Sequence, residues 1–247
     1  MIFTGEHYYL GLIQAALIVV HILLGVFVAG KNRCFDRLVV WVIGAYLLFY
    51  KMWEYGPFET LPLDLSAMSY FLFGFAAFIP FRPLKTAASF SAMLSGVVYA
   101  VTMTLYPESH IGILHTSNRY FLVAMAMANH NLMFAGGLFM SSRHRFVRTD
   151  YVWVFGWLAF FFGYVILLIY GYGADLRTSS IVQIMQGTLV ADVLGLEMTA
   201  AYYVVYYIIF FSLFGAVVWL YGLLNRAYHK KDSPYLPPPR ALPEFFA

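Results

Sequence analysis

The residues able to do chemistry here are those that a bilayer would reject without a reason. An ionisable group at membrane depth costs at least about 2.5–3.5 kcal/mol on insertion scales, and it usually faces a cavity or a partner. By that test the candidates are His21, Lys51, Glu54, Asp64 and His130, with Ser66, Asn129 and Asn131 as neutral companions. His130, set between two asparagines inside an apolar run, is the natural general base. Ser66 offers a hydroxyl nucleophile, and Asp64 a carboxylate that could orient the histidine or a substrate. Brought within hydrogen-bond reach of one another, such groups carry acyl transfer or hydrolysis. The catalytic set is therefore His130, Ser66 and Asp64.

Each member also has a plainer reading. Lys51 and Glu54 stand three apart on one helix face, where such a pair neutralises itself. Asp64 follows Pro62 at the start of a helix, where exposed N–H groups and the dipole favour a carboxylate. Ser66 could back-bond to its own helix, and His21 could serve only as a hydrogen-bond partner between helices. His21 and His130 together suggest a third chemistry, since neutral imidazoles ligate haem and metals. One pair is thin support, and no cofactor or metal is expected. The single Cys34 leaves no room for a cysteine-based zinc site or a disulfide within the chain.

The elements that position these groups follow from composition. The chain has 247 residues, 62% hydrophobic and only 11% charged, where a soluble domain carries about a quarter charged residues. With a mean hydropathy of +0.74, most of the chain has lipid as its solvent. An apolar run of about 20 residues crosses the roughly 30 Å hydrocarbon core as a helix. Such runs lie at about 8–29, 38–55, 62–80, 85–105, 119–140, 152–171 and 202–224, separated by Lys31-Asn32-Arg33, Gly56-Pro57, Pro80 to Pro83, Pro107 and Arg143-His144-Arg145. They are too long and too continuously apolar for barrel strands. The expected fold is all-α, a transmembrane bundle of seven helices.

Basic residues are retained on the cytoplasmic side. Twelve of the fifteen Lys and Arg residues fall on one side of the seven-span arrangement, leaving Lys51, Arg119 and Arg177 on the other. The N-terminus is thus expected outside and the C-terminus in the cytoplasm, in a cell inner (plasma) membrane. Residues 1–232 form the membrane domain and 233–247 a proline-rich tail. The outer connection 172–200 holds a segment, Ile181 to Leu196, that could lie flat as an interfacial helix.

At about 1.5 Å per residue, His21 and His130 lie about 20 Å and 16 Å into their spans, near the bilayer centre. Lys51, Glu54, Asp64 and Ser66 sit nearer the outer surface, where they could form one polar pocket. Ser66 and His130 come out about 10 Å apart along the membrane normal, a gap that tilt or a broken helix would have to close.

Trp53-Glu54 followed by Thr60-Leu61-Pro62-Leu63-Asp64-Leu65-Ser66 resembles the YwaF-type integral membrane family, which carries a Leu-Pro-Leu-His-Leu-Cys-like motif at the start of a span. Asn118-Arg119-Tyr120, leading through Ala128-Asn129 to His130, is similar to that family's aromatic lead into an intramembrane histidine. The two stretches lie within residues 50–140. Asp64 stands where the family has histidine, and Ser66 where it often has cysteine. The resemblance implies a distant relation to an animal ether-phospholipid acyltransferase and to intramembrane hydrolases of fatty-acid esters. It carries the histidine's role onto His130, while the acyltransferase's cysteine aligns with Leu63 and not with Ser66.

Membrane lipids are the expected partners, and nothing points to nucleic acid. An accessory or scaffold subunit of a larger membrane complex is the competing class, bound to other membrane subunits. Transport is a weaker one, because the chain shows no internal repeat or pair of broken helices.

Overall fold

The computed structural model describes residues 7–56, 62, 64–112, 119–171 and 180–229. Regular structure among the described residues is helical throughout: α1 (Tyr8–Phe27), α2 (Arg33–Tyr55), α3 (Leu65–Phe78), α4 (Arg82–Leu105), α5 (Pro107–Gly112), α6 (Arg119–Ser141), α7 (Asp150–Ile166), α8 (Ser180–Gln186), α9 (Thr188–Leu194) and α10 (Ala200–Tyr228). A π-helical turn, Leu167–Gly171, prolongs α7. Each apolar run of the sequence therefore corresponds to a helix. Five of these stretches are long and apolar enough to cross a membrane: Tyr8–Phe27, Arg82–Leu105, Tyr120–Ser141, Asp150–Gly171 and Ala200–Tyr228.

The other two differ for physical reasons. α2 has the length, at 23 residues, but Arg33, Asp36 and Arg37 charge one end and Lys51 and Glu54 the other. α3 has the apolarity but only 14 residues, which at about 1.5 Å each reach about 21 Å.

Local chemistry sets the boundaries. Asn32 caps α2, its side-chain oxygen accepting from the N–H groups of Cys34 and Phe35 at 2.9 and 3.1 Å. Pro83 opens α4, where its missing N–H costs nothing. The segment Ile181 to Leu196 is not one interfacial helix. Gly187, at φ +75°, breaks it into α8 and α9, and Gly195, at φ +63°, ends α9. Residues 172–179 of that connection and the tail 233–247 lie outside the described residues.

α4 is the central helix, packed against α1, α3, α6 and α7, while α2 closes the far side against α3 and α6. Small residues let these backbones approach. A Cβ on Gly96 of α4 would stand 2.4 Å from the Cβ of Phe134 on α6, and one on Gly44 of α2 would stand 2.4 Å from the Cβ of Ala77 on α3. The interior is more polar than the surface. Gln14, Ser69, Ser91 and Asn129 are buried, while Val204, Ile208, Phe211 and Leu213 of α10 are exposed. An apolar exterior on this scale is what contact with lipid chains produces.

α10 packs on α4 and α7 through Phe214, Val218 and Tyr221 and is hydrogen-bonded near both its ends. Near its start, the hydroxyls of Tyr202, Tyr206 and Tyr207 donate to the carbonyls of Gly187, Ile184 and Met185, capping the C-terminus of α8. The tyrosine-rich run is therefore a cap as well as an aromatic band. Near its end, Asn225 Oδ1 accepts from the N–H of Phe146 at 2.6 Å, and Asn225 Nδ2 donates to the carbonyl of His144 at 3.1 Å and to Ser141 Oγ at 2.9 Å.

Candidate functional site

Between α10 and the helices it leans on lies a cavity of about 730 Å³. Leu65, Leu94, Val98, Phe210, Phe214 and Val217 are among the groups that make most of its wall apolar. Polar groups enter from α3 (Asp64 at its N-cap position, Ser66), α4 (Ser95, Tyr99, Thr102), α5 (His110) and α6 (His130). They are not spread evenly. Asp64, Ser66, Thr102 and His110 sit where α3 begins and α4 ends, and Leu94, Phe214 and Val217 sit further into the bundle. Most of the polar groups therefore lie towards one end of a largely apolar cavity.

The three residues of the catalytic set thus line one space. Ser66 and His130 line the same cavity, with no hydrogen bond between the two. Asp64 occupies the N-cap position of α3, with no side-chain capping hydrogen bond to the helix. On α3 a back-bonding serine is Ser69, whose Oγ lies 2.6 Å from the carbonyl of Leu65 and 2.6 Å from Ser91 Oγ.

His130 is fixed by its neighbours. Its ring stacks on Tyr99 with centroids 4.1 Å apart and planes 10° apart, and meets Tyr70 edge-on at 5.6 Å. Its Nδ1 lies 2.8 Å from the carbonyl of Ala126. A carbonyl only accepts, so Nδ1 carries the proton, and in the neutral ring Nε2 is left as a lone pair. That is the form a general base needs.

The remaining candidates turn away from this cavity. Lys51 and Glu54 form an ion pair at 2.5 Å, and Lys51 Nζ lies over the ring of Tyr70 at 4.8 Å and near those of Tyr50 and Tyr55. Lys51 and Glu54 are not among the residues lining the cavity that Asp64 and Ser66 share, and Lys51 Nζ lies instead among aromatic rings. Asn129 accepts from the hydroxyl of Tyr46 at 2.8 Å. His21 is buried against Phe134, its Nε2 3.1 Å from the carbonyl of Asn131. It lines a second, apolar cavity of about 370 Å³ with Gly25, Gly96 and Asn131. His21 and His130 therefore lie in different cavities and are not a ligand pair. Among the described residues, no group of three or more His, Cys, Asp or Glu side chains is placed to hold a metal.

Sequence reasoning missed several contributors. Ser95, Tyr99 and Thr102 recur at helical spacing on the face of α4 that lines the cavity, a signal present in the sequence. His110 lies outside the long apolar runs and so escaped the membrane-depth test. Gln14, wholly buried in α1, pairs with Asn131 and was legible as an amide inside an apolar run.

Scans against protein-family models, curated proteins and solved structures found nothing that matches this chain.

Proposed function

We propose that this chain is a seven-span membrane protein, N-terminus outside and C-terminus in the cytoplasm, that takes an acyl-chain lipid into the cavity around His130 and carries out acyl transfer or hydrolysis there. The observation that carries the reading is the joint lining of one largely apolar cavity by His130, Ser66 and Asp64. Its volume of about 730 Å³ falls within the roughly 300–1,000 Å³ of sites that enclose one small ligand. The YwaF-like motifs around Asp64, Ser66 and His130 support the same reading, as does the cytoplasmic bias of Lys and Arg for the orientation.

In this reaction Ser66 Oγ bonds to the ester carbonyl carbon as its proton passes to His130 Nε2. The bond from that carbon to the leaving alkoxide then breaks, and the alcohol departs with the proton from His130. Water or a second alcohol repeats the sequence on the acyl-serine. The step requires lipid entry to bring Ser66 Oγ within hydrogen-bond reach of His130 Nε2. Asp64, at the polar end, orients the head of the substrate.

Native mass spectrometry of gently solubilised protein beside His130→Ala tests the reading. A co-purifying lipid that is lost in the variant supports it. Stable partner subunits, with no ligand depending on His130, would replace it with an accessory role in a larger assembly. The orientation has its own reporter, because Cys34 is the only cysteine and is exposed. A membrane-impermeant maleimide should leave it unlabelled in intact cells and label it in inside-out vesicles.

A further inference from the structure

The cavity's polar end is specified more closely than its volume suggests, because hydrogen bonding sets the tautomers of two of its histidines. His130 spends its Nδ1 proton on the carbonyl of Ala126. His110 is constrained through a third residue. Its Nε2 lies 3.1 Å from Thr102 Oγ1. Thr102 has one hydroxyl proton, and that oxygen also lies 3.0 and 3.1 Å from the carbonyls of Val98 and Tyr99. Neither carbonyl can donate, so the threonine proton goes to them and Thr102 Oγ1 accepts from His110 Nε2–H. In each neutral ring the remaining nitrogen, Nε2 of His130 and Nδ1 of His110, is a bare lone pair.

A head group entering this space meets two imidazole acceptors, the hydroxyls of Ser66 and Ser95, and the Asp64 carboxylate. A carboxylate or phosphate has only acceptors to offer and would set lone pair against lone pair. An alcohol brings the missing donors. Resting on the reading of the cavity as a lipid site, we propose that its ligand is a single-chain lipid with a hydroxyl-bearing, uncharged head, such as a monoacylglycerol, and that His130 and His110 select it over anionic lipids of the same chain length. The apolar wall from Leu94 to Val217 takes the chain, and the volume suits one chain better than two.

The test is competition between monooleoylglycerol, oleate and oleyl phosphate for the full-length protein in detergent, read by native mass spectrometry at neutral pH. The expected result is preferential retention of monooleoylglycerol. His130→Phe keeps the stacked ring but lacks the nitrogen, and should lower that retention about tenfold. His110→Phe acts at the second nitrogen and should also narrow the preference, which covers the case in which one variant fails to fold. Equal or better retention of oleate or of oleyl phosphate, or a preference unchanged in both variants, would overturn the head-group assignment and leave the lipid cavity standing. Retention of none of the three by wild-type protein would overturn both.

Discussion

Gln14 of α1 and Asn131 of α6 exchange amide hydrogen bonds across the bundle: Gln14 Nε2 donates to Asn131 Oδ1 at 3.1 Å, and Asn131 Nδ2 returns a bond to Gln14 Oε1 at 2.9 Å. Asn131 Nδ2 donates again to the carbonyl of Met127 at 2.7 Å. A lipid surrounding offers no water to replace a lost partner. Gln14→Leu should therefore cost about 1–2 kcal/mol, because it leaves one side of Asn131 unpaired. Adding Asn131→Leu should recover part of that loss, since no orphan amide remains. Denaturant unfolding in micelles measures both, and a double variant weaker than the sum of the singles would refute the pairing.

The helices were legible because lipid imposes one demand on every residue of a span, and α1, α4, α6, α7 and α10 meet it with long apolar runs. α2 and α3 were legible as apolar runs but not in their lengths, because charges at Lys51 and Glu54 and the short reach of Leu65–Phe78 depart from that demand. The site was half legible. His130, Ser66 and Asp64 are conspicuous by type, and the cavity gathers them. What a sequence hides is which way a ring faces. His21 and His130 sit at similar depth, yet they line cavities on different sides of α6, a matter of helix rotation that no spacing along one chain reveals.

Asn225 ties the end of α10 to the turn after α6 with both ends of its amide, accepting from the Phe146 N–H and donating to Ser141 and His144. Since α10 buries little else beyond Val218 and Gly222, this junction should dominate its attachment. Asn225→Leu is expected to cost about 2–4 kcal/mol by orphaning buried backbone groups. Limited proteolysis between α9 and α10 should accelerate in the same variant. Unchanged stability and cleavage would show that α10 is anchored elsewhere.

His144, in the turn between α6 and α7, has a buried Nε2 without a partner among the described residues. Burial, with the charges of Lys85, Arg143 and Arg82 and neighbouring His229 adding to it, pushes its pKa down to about 3. Below the ordinary value of about 6.5 the unfolded chain binds a proton that the folded chain refuses. Stability should therefore hold above pH 6.5 and fall as the pH drops from there towards 3, by at most about 1.4 kcal/mol per pH unit from this residue. His144→Leu should flatten that part of the profile, as read by thermal midpoints between pH 7 and pH 4. An unchanged slope in the variant would assign the acid sensitivity to other groups.

Gly96 couples the packing to the site. A Cβ there would stand 2.4 Å from the Cβ of Phe134 and 3.1 Å from its Cα, so backbone must move and a rotamer change cannot relieve the clash. Ser95 and Tyr99 flank this contact on α4, and His130 lies one turn from Phe134 on α6. Pushing the two helices apart should therefore loosen the stack of Tyr99 on His130 as well as the fold. Gly96→Ala is expected to lose about 1–3 kcal/mol and to retain less lipid in the cavity. Gly215→Ala on α10 is the control, because nothing lies within 4 Å of its added Cβ. It should change neither property, beyond the few tenths of a kcal/mol to about 1 kcal/mol that alanine gains over glycine in a helix. If Gly96→Ala matched that control in stability and lipid retention, the close approach of α4 and α6 would not be what holds His130 against Tyr99.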